Sequence, residues 1–234
     1  SRVGIELFVL DDGWFGKRNN DESSLGDWKV NLDKLPNGLN GLAERINELG
    51  MKFGLWFEPE MISIDSDLYR EHPDWAIHIE GRLPIYSREQ LVLDLTKQEV
   101  CDYIIDSVSS ILESANITYV KWDMNRNITN IPEGLANDQC FEFHHRYMLG
   151  LYRVLDHLTK RFPDILFESC AGGGGRNDLG IMYYMPQAWA SDDTDAIERL
   201  SIQEGTSLIY PPSSIGAHVS AVPNHQVGRI TPLA

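Results

Sequence analysis

The chain has 234 residues, with 20 Lys plus Arg against 35 Asp plus Glu and a net charge of −15. That length fits one domain of about 100–250 residues, and 42% hydrophobic with 24% charged residues excludes a disordered chain. The acidity and the lack of a Lys/Arg run of five or more exclude nucleic acid as an expected partner. No apolar stretch is long enough for a membrane span, so no membrane association is expected and the cytoplasm is the default location.

In chain order, Ile5–Leu10 is an apolar run that ends in Asp11, Asp12, Gly13 and Trp14, the pattern of a buried strand with acids at its C-terminal tip. The same grammar recurs at 52–56 before Glu58 and Glu60, at 90–94 ending in Asp94, and at 117–123 ending in Asp123. It returns at 165–168 before Cys170 and a glycine run, at 187–190 before Asp192 and Asp193, and at 206–210 before two prolines, making seven expected strands. Apolar residues at spacings of three and four predict helices over 39–49, 97–114 and 147–162. Alternating helices and nearly continuous apolar strands predict an α/β fold, a TIM-type (β/α) barrel. The residues Ser1 to Gly4 read as the end of a helix, so the barrel is expected to be incomplete at its N-terminus, with this chain supplying strands two to eight. Gly172–Gly175 come too late for a dinucleotide fingerprint. Cys101, Cys140 and Cys170 read as reduced thiols, and no histidine or cysteine spacing suggests a metal site.

Working residues of (β/α) barrels sit at the C-terminal tips of strands, so the tip acids are the candidates. On a strand, Lys121, Asp123 and Asn125 share a face, and a cation beside Asp123 would favour the ionised carboxylate that a nucleophile needs. Asp192 and Asp193 form an acidic cluster with Asp195, in which mutual repulsion would favour a protonated carboxyl, a proton donor. Two such carboxyls cleave glycosidic bonds, and Trp14, Trp56, Trp122 and Trp189 near the tips offer indole faces for a pyranose.

The segments 10–16 (LDDGWFG), 54–61 (GLWFEPEM), 121–126 (KWDMNR), 167–175 (FESCAGGGG), 189–196 (WASDDTDA) and 216–225 (GAHVSAVPNH) closely resemble the bacterial α-galactosidases of glycoside hydrolase family 36. The resemblance implies a retaining hydrolase of terminal α-1,6-linked galactose in melibiose, raffinose and stachyose. It also implies that residues 1–234 are part of a catalytic barrel, without the family's flanking N-terminal β-sandwich and C-terminal β-domain. On the matching positions Asp123 is the nucleophile and Asp192 the proton donor, with Asp193 as the alternative. Asp11 and Asp12 would bind galactose hydroxyls, Trp56 would stack on or shape the pocket, and Lys121 and Asn125 would hold the sugar. Arg88 would reach in from the rim, while Cys170 and Gly173 would line the floor. No metal or organic cofactor is implied, the partner is a galactose-containing oligosaccharide, and the full-length protein is expected to be a homo-oligomer, a tetramer. Ala171 and Asn177 depart from the residues usual in the family. Competing readings are a related galactosyl transferase of the raffinose-synthase kind, a catalytically silent sugar-binding fragment, and, more weakly, a metal-dependent barrel enzyme.

Overall fold

The computed structural model describes residues 4–79, 81–131 and 140–231, apart from the side chain of Cys140. Ser1–Val3, the expected helix end, thus lie outside the described residues. The chain forms two compact units, Ser1–Ile165 and Leu166–Ala234.

The first unit holds three neighbouring parallel strands, β1 (Leu7–Leu10), β2 (Lys52–Phe57) and β5 (Tyr119–Trp122), with β2 in the middle. Phe53 to Phe57 of β2 are all buried, as a parallel strand covered on both faces requires. The expectation of a buried first strand is corrected: among the described residues β1 has one neighbour, β2, and Phe8 is 40% exposed. The helices α1 (Gly38–Glu48), α3 (Gln98–Glu113) and α4 (Phe143–Arg161) fall where the apolar period places them, with the short α2 (Asp67–Glu71) between the first two. Leu39, Ala43 and Ile46 bury one stripe of α1. Val100, Ile104 and Val108 of α3 and Tyr147, Leu151 and Leu155 of α4 are buried likewise, and α3 packs on α4. Gly150 of α4 lies against the carbonyl of Leu95, and the Cys101 thiol donates to that same carbonyl at 3.3 Å. Cys101 and Cys170 are buried and in no disulfide.

The strand expected at 90–94 is corrected. Residues Leu91–Val92 form β4, which pairs antiparallel with β3 (Met61–Ile62), outside the parallel set. Pro59 follows β2 without an N–H to donate and the chain turns there, so that Leu93 donates to the carbonyl of Glu60 at 2.9 Å. Asp94 is accordingly no strand tip. Its carboxylate accepts from the Thr96 amide and hydroxyl at 3.0 and 2.6 Å.

The second unit repeats the grammar with β6 (Leu166–Ser169), α5 (Leu179–Tyr184), β7 (Gln187–Trp189), α6 (Ala196–Ser207) and β8 (Ile215–Gly216), the strands parallel in the order β6-β7-β8. The strand expected at 206–210 is the end of α6 and the turn after it. Asp195 starts that helix by accepting from the amides of Ile197 and Glu198, both at 3.2 Å, and Leu208 is 82% exposed. The strand role passes to Ile215–Gly216. Among the described residues the parallel strands therefore number six, not the seven of a chain running from strand two to strand eight.

Candidate active site

The register of β2 and β5 builds the centre of the first unit. Trp56 pairs with Lys121 and Phe57 with Trp122, so one step further along Glu58 faces Asp123. The amide of Asp123 donates to the carbonyl of Phe57 at 2.7 Å, which extends the ladder to that step. The Asp123 carboxylate is 6% exposed and takes three donors: the Trp56 indole N–H at 3.2 Å, the Asn125 side-chain amide at 2.7 Å and the Met124 backbone amide at 2.9 Å. An ionised carboxylate, which only accepts, suits three donors.

Lys121 pairs with the acid at the tip of β1. Its ammonium lies 2.9 Å from Asp11, a contact that spans the intervening tip of β2. Asp11 is exposed, so this pair is worth about 1 kcal/mol or less. Asp12 is clamped instead by Arg18, whose Nε donates at 3.0 and 3.1 Å and whose NH2 group donates at 2.8 Å. Arg18 is buried and also donates to the carbonyl of Ser23 at 2.9 Å, which fixes the loop after β1. Arg88 is exposed and, with Glu89, occupies the left-handed region at φ 54° and 53°, in a tight turn between Ser87 and Gln90. Two residues with β-carbons in that region cost on the order of 1–3 kcal/mol each, strain of the kind found at ligand sites.

The indole faces expected for stacking are not available on three of the four tryptophans. Trp14, Trp56 and Trp122 are 2, 2 and 0% exposed. Trp14 donates to the carbonyl of Trp56 at 2.9 Å, and Trp122 to the buried carboxylate of Glu60 at 2.9 Å, which also accepts from the Tyr147 hydroxyl at 2.9 Å. Trp56 shapes the site through its N–H on Asp123.

In the second unit, Cys170 and Gly173 are buried. Gly173, at φ +86°, rests on the backbone of Ser191 and Asp192: a β-carbon there would come within 2.7 Å of the Ser191 Cα and 2.8 Å of the Asp192 nitrogen. At Gly174 it would meet the Ala190 carbonyl oxygen at 2.5 Å. The glycines thus bring the main chain directly against the acidic segment. Asp192 is exposed and accepts from the Trp189 indole at 3.0 Å. Asp193 is half-buried and accepts from the Asp195 amide at 2.9 Å, which holds its rotamer. The acids do not simply repel one another. Asp195 caps α6 and accepts from Arg229 at 2.6 Å, while Arg199 lies close enough to Asp192 and Asp193 to feel both charges.

Sequence reasoning counted Glu58 among the strand-tip acids without giving it a role, and missed Arg18, Arg199 and Gln226 as site components. Arg199 is buried on α6, donates to the carbonyls of Ser191 at 2.9 Å and Gly216 at 3.1 Å, and sits 5.1 Å over the Trp189 ring. Gln226 donates to the Asp192 carbonyl at 3.0 Å and accepts from the Thr194 amide at 2.7 Å. The only available signal was Arg199 itself, a lone cation one turn into a helix that opens with acids.

Parallel strands alternating with helices, with carboxylates at the strand tips, make this a protein of the (β/α)-barrel class. The melibiase family model matches residues 1–234, and the chain belongs to that family. It is similar to alpha-galactosidase AgaA of Geobacillus stearothermophilus, with 63% identity over 234 residues, and to alpha-galactosidase Mel36A of Lactobacillus acidophilus, with 59% identity over 232 residues. The crystal structure of AgaA superposes with a TM-score of 0.96 over 99% of this chain, and substituted forms of it have been solved with raffinose and with stachyose. The chain spans 32% of the length of both relatives, against 100% and 99% of its own.

Proposed function

We infer that the chain is the core of a retaining α-galactosidase that removes terminal α-galactose from melibiose and raffinose-type oligosaccharides. The observation that carries this reading is Asp123 at the tip of β5, with three donors on its carboxylate and the Lys121–Asp11 pair beside it. The raffinose and stachyose complexes of AgaA support the substrate class.

Asp123 attacks the anomeric carbon as the glycosidic C–O bond breaks, and the departing oxygen takes a proton from the second acid. Water, deprotonated by that same acid, then displaces Asp123 and releases galactose with its configuration retained. The motif alone favours Asp192 as this acid, but we assign the role to Asp193. The two aspartates substituted in the AgaA complexes stand seventy positions apart, the interval from Asp123 to Asp193, and the alignment covers the whole chain in 234 positions. The Asp195 amide fixes the Asp193 side chain, as a proton donor requires. Asp192, Asp11 and Asp12 then bind sugar hydroxyls, with Lys121 and Asn125 beside the nucleophile and Arg88 at the rim.

Cys101 and Cys170, buried outside any disulfide, favour a reducing compartment, and the reading places the enzyme in the cytoplasm. Family resemblance favours a homotetramer of the full-length protein. The test is hydrolysis of an aryl α-galactoside by the full-length protein beside Asp123→Ala. The variant loses activity by about 10³-fold or more, and azide restores turnover to give β-galactosyl azide. Full activity in Asp123→Ala would sink the assignment.

A further inference from the structure

Glu58 is a fully buried acid at the step that faces Asp123. It is 0% exposed, and its two oxygens are held differently: Oε1 accepts the Asn125 backbone amide at 2.5 Å, and Oε2 lies 3.2 Å from the Gln90 side-chain nitrogen. The amide oxygen of Gln90 is itself buried and lacks a hydrogen-bond donor. Gln90 donates through this side-chain amide to Oε2, which fixes the second oxygen of the acid as Asn125 fixes the first. The Gln90 backbone carbonyl is occupied by Arg126, which donates at 2.6 Å, so this segment is tied on both sides.

The other end of the contact is the nucleophile. Asn125 receives Glu58 at its backbone N–H and gives its side-chain N–H to Asp123 at 2.7 Å, so Glu58 sets where that amide sits. The charged groups acting on Glu58 are Asp123, beyond the end of β5, and Arg88, in the turn before β4; Gln90 and Asn125 are neutral. Two buried carboxylates this close cannot both be ionised cheaply, and the donors converge on Asp123.

We propose that Glu58 is a positioning residue of this active site, a neutral carboxylic acid that orders Asn125 against Asp123 and leaves the single negative charge on the nucleophile. Burial, and then the charge of Asp123, pushes the Glu58 carboxyl up to about 8, against a Glu reference of 4.5. Below that pH the acid is protonated and the site is armed. Above it a second charge enters beside Asp123, draws the Asn125 side-chain amide away and opposes the negative charge the nucleophile carries.

The proposal rests on Asp123 being the nucleophile, and Glu58→Gln in the full-length protein tests it, because glutamine reproduces the neutral acid. At pH 6, Glu58→Gln keeps kcat within about threefold of wild type, and the alkaline fall of kcat near pH 8 moves up by about a pH unit or more. Glu58→Ala lowers kcat about tenfold or more while KM changes less than about threefold. Wild type also shows an infrared carboxylic-acid band at pH 7 that bleaches near pH 8 and is absent from Glu58→Gln. A Glu58→Gln enzyme that loses about 100-fold in kcat at pH 6, or keeps the wild-type alkaline fall, overturns the proposal. So does a wild type with no such band. An enzyme without α-galactosidase activity would defeat the proposed function instead, and the infrared band would still report on Glu58.

Discussion

At the scale of single residues, the two adjacent acids after β7 separate by what holds them. Asp193 is fixed through the Asp195 amide, whereas Asp192 is exposed and tethered to the Trp189 indole. Asp193→Ala should lose about 10²–10⁴-fold in kcat on raffinose and far less on an aryl galactoside whose leaving group needs no proton. Added azide should give the α-galactosyl azide, the opposite anomer from Asp123→Ala. Asp192→Asn should raise KM with kcat held within about tenfold. Steady-state kinetics on both substrates decide it, and the reverse pattern would return the proton donor to Asp192. Tip acids were legible in the sequence because a polar residue at the end of an apolar run is a local pattern. Their partners were not: Lys121 meets Asp11 through cross-strand register, which no single strand encodes. Asp94 and Asp195 look the same in sequence as the site acids, yet one braces a turn at Thr96 and the other caps α6.

At the scale of elements, helices α1, α3 and α4 were readable because each buries a stripe at the helical period over eleven residues or more. The elements missed are those whose placement depends on distant chain. Two-residue strands such as β4 and β8 have too few side chains for a period, and the apolar run at 206–210 looked like a buried strand although Leu208 faces solvent. The packing of α4 gives a prediction opposite in sign to helix propensity. Gly to Ala inside a helix ordinarily gains about 1 kcal/mol, but a β-carbon at Gly150 would overlap the Leu95 carbonyl oxygen. Gly150→Ala should therefore destabilise by about 2–4 kcal/mol. Denaturant unfolding measures this, and a variant as stable as wild type would show that the α4 contact yields freely.

At the scale of the whole molecule, the buried proton on Glu58 couples folding to pH. Its carboxyl titrates near 4.5 when exposed and about 8 when folded, so the folded state holds the proton more tightly between those values. The stability from this group is complete below about pH 4.5 and is lost as pH rises through about 8, at up to about 1.4 kcal/mol per pH unit. Glu58→Gln should unfold with a flatter pH dependence across that window, by denaturant titration at several pH values; parallel curves would contradict it.

The glycine run after β6 also bears on how this sequence can change. At Gly173 and Gly174 two stretches of main chain meet with no room for a β-carbon. Every codon change that replaces either glycine inserts an atom into that contact, whatever chemistry the new side chain carries. Drift is therefore closed at these positions by volume alone, and their constancy among descendants of this sequence would record the approach of two backbones.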